Sequence, residues 1–250
     1  MLLVIQGQEV ALQIETIFLM NKNTHMELNP TNKGKKQKLR RDKKRKLSST
    51  NWISRQLNDP YVIEANRLGY NSRSAFKLIE IDTKFNFLKP GKKVVDLGCA
   101  PGGWLQVAAK KVNSSDNEIN IVGVDLLPIK DIYGVKTLIG DVNDIGTEKK
   151  ILNLLEDKPD IVLSDMAANT TGHKRTDHIR TTQLTEIALD FALSNLNIGG
   201  VFLVKSFRGG TERILIEKMK KYFSFVKNVK PKASRAESVE SYTICIDLKS

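Results

Sequence analysis

The 250-residue chain predicts an α/β fold, a mostly parallel β-sheet with helices on both faces. Three observations carry that expectation. Short apolar runs alternate with helical stretches from residue 93 to the end. A glycine-rich turn, "DLGCAPGGW" at 96–104, directly follows the first run. Polar residues close several later runs, at the sheet end where open α/β proteins bind ligands.

Residues 51–85 read as helical, with turn signals at Asp59-Pro60 and Gly69-Tyr70-Asn71. Strands are predicted at 93–97, 119–125, 136–139, 161–164, 201–205, 225–229 and 242–248. Helices are predicted between them at 104–112, 148–155, 181–196 and 212–222. Strands joined by crossover helices run parallel and are covered on both faces. No helical stretch separates 225–229 from 242–248, which predicts an antiparallel pair there. No internal repeat is visible.

Composition narrows the partners. With 40% hydrophobic residues the chain can build a core. A formal charge of +12 points to an anionic partner, nucleic acid or an acidic membrane surface. Much of it is local: "KGKKQKLRRDKKRK" at 33–46 carries ten Lys or Arg and one Asp, a net +9. Such a run repels itself and reads as a flexible arm that tracks phosphates. The first 50 residues are therefore expected to be an extension carrying this arm, and 51–250 the folded domain. Cys99 and Cys245 offer neither a zinc site nor a disulfide framework, which fits a reduced, cytoplasmic setting. The opening "MLLVIQGQEVALQIETIFLM" lacks a basic start and is interrupted by Gln6, Gln8, Glu9, Gln13 and Glu15. It is expected to be an amphipathic extension, neither a signal peptide nor a membrane span.

Gly98, Gly102 and Gly103 allow a tight turn and close approach to a ligand. The dinucleotide pattern G-x-G-x-x-G is absent, and no Gly-Lys-Ser/Thr follows. By themselves the glycines are compatible with a turn that binds nothing. Asp125 ends the second strand, where a carboxylate accepts from ribose hydroxyls. Asp141 follows the third, within reach of an adenine amino group. Together they describe a pocket for S-adenosyl-L-methionine better than one for NAD, with the methionine part over the glycines. No metal site is expected.

Four polar residues interrupt otherwise buried patterns. Lys77 lies in "SRSAFKL", Asp165 ends the fourth strand, Lys205 ends the fifth in "GGVFLVKSF", and Glu240 opens the last in "SRAESVESYTICI". Each alone is compatible with a snorkelling surface charge. Asp165 and Lys205 are harder to dismiss, because adjacent parallel strands deliver both to one sheet edge.

The chain from about residue 50 onward resembles the RlmE/FtsJ family of ribosomal RNA large-subunit 2′-O-methyltransferases. The resemblance rests on "LNDPYV", "SRSAFKL", "VVDLGCAPGGW", "GVDLLP", "SDMAANTTG", "VKSF" and "SRAESVESY", in this order. It implies a class I S-adenosylmethionine-dependent methyltransferase fold, Rossmann-like, whose seven-stranded sheet has its last strand antiparallel. It implies a Lys-Asp-Lys-Glu tetrad at Lys77, Asp165, Lys205 and Glu240, and cofactor contacts at Gly102, Trp104, Asp125, Asp141 and Asp165. Cys99 stands where the family often has alanine, a mild change. Asn169 follows Ala168, where many relatives have proline, so a more mobile loop is expected there. Residues 1 to about 25 have no recognised counterpart, and Met20 or Met26 is a candidate start.

A ribose 2′-hydroxyl is a weak nucleophile, so the enzyme must align oxygen, methyl carbon and sulfur and manage a proton. Lys205 is the candidate base. Lowering a lysine from about 10.4 to about 8 costs roughly 3 kcal/mol. Desolvation and Lys77 push that way, while Asp165 and Glu240 push back. A charged Lys205 that orients the hydroxyl is the alternative. Arg55, Arg67, Arg73, Lys174, Arg175, Arg208 and Arg235 are candidates to rim the cleft and grip phosphates.

The resemblance implies methylation of one uridine ribose in 23S ribosomal RNA, on the 50S subunit, by a monomeric cytoplasmic enzyme without membrane partners. A transfer-RNA 2′-O-methyltransferase is the alternative within this chemistry, and a non-catalytic RNA-binding assembly factor the alternative outside it.

Overall fold

The computed structural model describes residues 47–168, 172–207 and 212–250. The amphipathic opening, the basic block 33–46, Asn169, Arg208 and the side chains of Lys174 and Arg175 lie outside the described residues.

Three helices precede the sheet: α1 (Leu47–Leu57), α2 (Pro60–Leu68) and α3 (Ala75–Phe85). α1 runs across residue 50, where the folded domain is expected to begin. α2 starts where the sequence signals it. The Asp59 side chain accepts from the Tyr61 amide at 3.0 Å, Pro60 fills the first turn, and Gly69 ends the helix at φ +76°.

The alternating part follows as β1 (Val94–Leu97), α4 (Gly103–Val112), β2 (Ile121–Asp125), β3 (Lys136–Ile139), α5 (Ile145–Leu155), β4 (Ile161–Ser164), α6 (Lys174–Asn195), β5 (Val201–Phe207), α7 (Glu212–Tyr222), β6 (Phe223–Val229) and β7 (Glu240–Leu248). The seven strands lie in the order β3-β2-β1-β4-β5-β7-β6. β1 to β5 pair in parallel, and β7 inserts antiparallel between β5 and β6. The strand order reverses at β1, which has β2 on one side and β4 on the other, so a ligand crevice opens beyond its carboxyl end.

Residue parity divides the core. Val94, Ile161, Leu163, Leu203, Tyr242 and Ile244 join one buried cluster with residues of α3 and α4. Val95, Val122, Val162, Phe202 and Val204 join a second with residues of α5, α6 and α7. Adjacent residues of one strand bury on opposite faces, as a doubly covered sheet requires.

Several extents differ from the sequence reading. α6 begins at Lys174, seven residues before 181, where a polar stretch gives no apolar periodicity to mark it. α5 begins three residues earlier than 148, because the Asp144 carboxylate accepts from the Gly146 amide and starts the helix there. β5 continues beyond 201–205, because pairing with β7 runs on through Ser206↔Ser241 and Phe207↔Glu240. Lys205 therefore lies inside a paired strand and does not end it. Its position depends on the packing beneath it. Truncating Leu203, fully buried one pleat before Lys205, is expected to cost about 2–5 kcal/mol in urea unfolding.

Candidate active site

The tetrad residues come from four elements and meet on the sheet face covered by α3 and α4. Lys205 is on β5, and the register sets Tyr242 of β7 directly opposite it. Glu240 lies two residues before Tyr242, on the same face. Asp165 follows β4, whose last residue, Ser164, pairs with Val204. Lys77 approaches from the first turn of α3.

Their charged ends form a closed ring. The Lys205 ammonium lies 2.7 Å from Asp165 Oδ1, donates to the Asp165 carbonyl at 2.9 Å, and lies 3.7 Å from Glu240 Oε2. Lys77 Nζ is 2.7 Å from Glu240 Oε1 and donates to the Tyr242 hydroxyl at 3.0 Å. Tyr242 closes the ring by donating to Asp165 Oδ1 at 2.7 Å. Ser234 adds a hydrogen bond to Glu240 Oε1 at 2.8 Å. Only 7% of Lys205 is exposed, so these partners replace most of its water.

Proton affinities follow from the ring. Burial pulls the Lys205 ammonium toward the neutral form, but Asp165 and Glu240 outweigh it and hold its pKa above the ordinary lysine value. Burial pushes Asp165 up, yet Lys205 and Lys77 hold it below the usual carboxylate range. Glu240 is lowered in the same way, with Lys77 and Lys205 overcoming burial. Burial, then the charges of Asp165 and Glu240, push the Tyr242 phenol well up, so it stays a neutral donor and acceptor. Of the two states weighed for Lys205, these neighbours favour the charged one.

The glycine turn sits beside this ring. Asp125 braces it: Oδ2 accepts from the Ala100 amide at 2.8 Å and Oδ1 from the Leu127 amide at 2.9 Å. A carboxylate has about four acceptor positions, so Asp125 retains capacity for ribose hydroxyls. Gly102 takes φ +103°, and a Cβ there would lie 2.8 Å from Ile132 Cδ1. Its glycine is thus demanded by the turn and by contact with the protein's own loop. Trp104 holds a different post from a cofactor-facing ring. Its indole is buried, donates to the Ser74 carbonyl at 2.8 Å and packs 5.6 Å from the Tyr242 ring. What Trp104 can offer a ligand is its amide at the start of α4, which has no intrahelical acceptor. Asp141 is exposed beyond β3, its Oδ1 accepting from the Asn143 amide and side chain at 2.9 Å.

Sequence reading overlooked two residues. Tyr242 reads as one more apolar strand position, and only the register reveals that its hydroxyl joins the ring. Asp96, at the end of β1, is 1% exposed, and neither carboxylate oxygen has a hydrogen-bond partner. Burial, then the nearby charges of Asp165 and Asp125, raise its pKa well above the usual range. A buried acid in the middle of "VVDLG" was the available signal. Asp96, Asp125 and Asp165 cluster behind the turn. Burial and its acidic neighbours favour the uncharged form of Asp96, and Lys205 pairs with Asp165. Asp125 is the carboxylate left to meet a ligand's ribose hydroxyls and positive charge. S-adenosyl-L-methionine, with both, fits this donor set. Among the described residues, no group of three or more His, Cys, Asp and Glu is arranged to hold a metal ion.

Comparison with known proteins agrees with this geometry. The family model described as FtsJ-like methyltransferase matches residues 70–248, which span the sheet and the whole ring. The chain belongs to the FtsJ-like methyltransferase family. Its curated relatives include the ribosomal RNA large subunit methyltransferases E of Brucella anthropi and Brucella ovis. Each is 52% identical over 204 residues, covering 82% of this chain and 85% of the relative. A crystal structure described as a ribosomal RNA methyltransferase from Plasmodium falciparum superposes with a TM-score of 0.62 at 34% identity, covering 72% of this chain and 98% of that one. As an FtsJ-like methyltransferase, the chain uses S-adenosyl-L-methionine as its cofactor. Among the described residues no helix is long and apolar enough to cross a membrane.

Two outcomes test the site. Asp125→Asn is expected to weaken S-adenosylmethionine binding roughly ten- to hundredfold by calorimetry, the worth of one charge-assisted acceptor that also braces the turn. Glu240→Gln tests the ring through pH. The folded pKa of Glu240 is depressed, so its contribution is fully present above the ordinary value of 4.5 and is lost as pH falls through the folded value. The stability gap between wild type and Glu240→Gln, measured by urea unfolding, is therefore expected to be full at pH 7 and to close below about 4.5.

Proposed function

We propose that this methyltransferase transfers a methyl group to the ribose 2′-hydroxyl of a uridine in 23S ribosomal RNA, on the 50S subunit. The observation that carries the reading is the closed Lys77–Glu240–Lys205–Asp165–Tyr242 ring beside the glycine turn. An ammonium fixed among carboxylates suits a hydroxyl nucleophile. The names of the Brucella relatives support ribosomal RNA as the acceptor, and the net charge of +12 suits a polyanion. The basic block at 33–46 is assigned to phosphate tracking, with no sequence selectivity of its own.

The cofactor supplies an activated methyl group on a positively charged sulfur. Asp125 and the turn at 98–103 would hold the bound cofactor, with Asp165 beside them. Lys205 donates to one lone pair of the ribose oxygen and fixes its direction, so that the other lone pair faces the methyl carbon. Asp165 fixes Lys205 through two contacts, one to its carboxylate and one to its backbone carbonyl. Lys77 and Tyr242 keep Asp165 and Glu240 ionised and in place. The oxygen becomes a strong acid as its bond to carbon forms, so Asp165 and Glu240 are adequate proton acceptors despite their lowered pKa values.

Lys205→Ala is expected to retain cofactor binding and lower methyl transfer by about 10²–10³-fold, the usual cost of one such donor. Near-normal transfer would remove Lys205 from the mechanism. Labelled cofactor offered with 50S subunits, free ribosomal RNA or transfer RNA, followed by mapping of the modified sugar, tests the substrate. Label on transfer RNA alone would redirect the assignment, and no label on any RNA would favour a non-catalytic factor.

A further inference from the structure

A recess of about 330 Å³ lies between the leading helices and the loop that joins β6 to β7. Arg55 of α1, Asp59, Tyr61 of α2, Arg73, Lys232 and Arg235 line it. With Glu237 also in its wall, it has four cations and two carboxylates, a net +2. One carboxylate is already shared: Asp59 contacts Arg73 and lies 3.5 Å from Arg235. Arg73 also donates to the Ala233 carbonyl, and its Nε is a buried donor without an acceptor.

This recess is mechanically tied to the tetrad. Arg73 lies in the turn just before α3, and Lys77 and Glu80 are three residues apart on that helix. Arg73 holds the Ala233 carbonyl, and Glu80 accepts from the Lys232 amide at 2.6 Å and the Ala233 amide at 3.0 Å. Lys77 between them holds Glu240. Ser234 belongs to both places, lining the recess and donating to Glu240. The same loop thus forms the wall of one and supports the other.

The recess offers charge more than stacking. The Tyr61 ring already has the Arg73 guanidinium 5.5 Å from its centroid and the Phe76 ring at 5.5 Å. Its volume is at the small end of ligand sites, room for about one nucleotide unit. We propose that the recess is a phosphodiester subsite, gripping the RNA backbone beside the nucleotide whose ribose lies at the tetrad. This rests on the RNA 2′-O-methylation reading and adds where the flanking strand is held. Contacts to phosphate fix register without reading sequence, which is what aligning one ribose with Lys205 demands.

The test uses the full chain with Arg55→Ala, Arg235→Ala and, for comparison, Lys218→Ala. Lys218 is on α7, over the opposite sheet face, pairs with Asp190 at 2.7 Å and does not line the recess. Anisotropy of a labelled oligouridylate RNA is followed across salt concentrations, with S-adenosylhomocysteine affinity by calorimetry and transfer kinetics on 50S subunits. Each recess variant is expected to raise the oligonucleotide Kd and the subunit KM about five- to tenfold. Each is also expected to flatten the slope of log K against log salt by about 0.7. Cofactor affinity and kcat should hold, and Lys218→Ala should match wild type. Wild-type Kd and slope in the recess variants, or an equal loss in Lys218→Ala, would overturn the subsite. Wild-type protein that methylates no RNA, yet binds the oligonucleotide through Arg55 and Arg235, would overturn the proposed function and leave the subsite standing.

Discussion

The site depends on keeping a buried ammonium charged. Taking Lys205 and Asp165 out of water costs several kcal/mol each, and one ion pair repays that only with good geometry and further partners. Here the further partners are Lys77, Glu240 and Tyr242, arranged so that each charge faces an opposite one. The sheet topology supplies them. β7, inserted antiparallel between β5 and β6, brings Tyr242 opposite Lys205 and Glu240 one pleat away. A parallel last strand would have delivered its carboxyl end to this edge, and neither residue would stand where it does.

The pocket behind β1 has the opposite design. Among the described residues Asp96 has no hydrogen-bond partner, and Asp125 gives two of its acceptor positions to the turn and keeps the rest. An unsatisfied buried acid is costly, and positive charge nearby lowers that cost. The two halves are therefore complementary. One is a self-satisfied ring proposed to orient a hydroxyl, and the other is an acidic pocket beside the glycine turn that suits the positive cofactor of an FtsJ-like methyltransferase.

Much of this was legible in the sequence, for physical reasons. The doubly covered strands show as continuous apolar runs, and a missing crossover helix before 242 signals the antiparallel pair. Lys205 and Asp165 stand out because charges that directly follow buried apolar runs need a reason. Other features depend on tertiary contact. Tyr242 looks like core until the β5–β7 register puts its hydroxyl among charges. Trp104 sits in the glycine motif, yet its indole is spent on Ser74 and Tyr242. The continuation of β5 through Phe207 comes from its partner strand, and Glu80 gripping Lys232 and Ala233 joins residues about 150 positions apart in the chain.

The ring makes one demand that chemistry can check directly. Carbon-13 labelling of the lysine side chains, with the Lys205 signal assigned by its loss in a Lys205 variant, gives the charge state of that amine across pH. The account expects Lys205 to remain an ammonium through neutral pH and to titrate above the ordinary lysine value. A Lys205 signal that titrates near pH 7 to 8 in the resting protein would contradict it, and would make Lys205 a neutral base in place of a charged orienter.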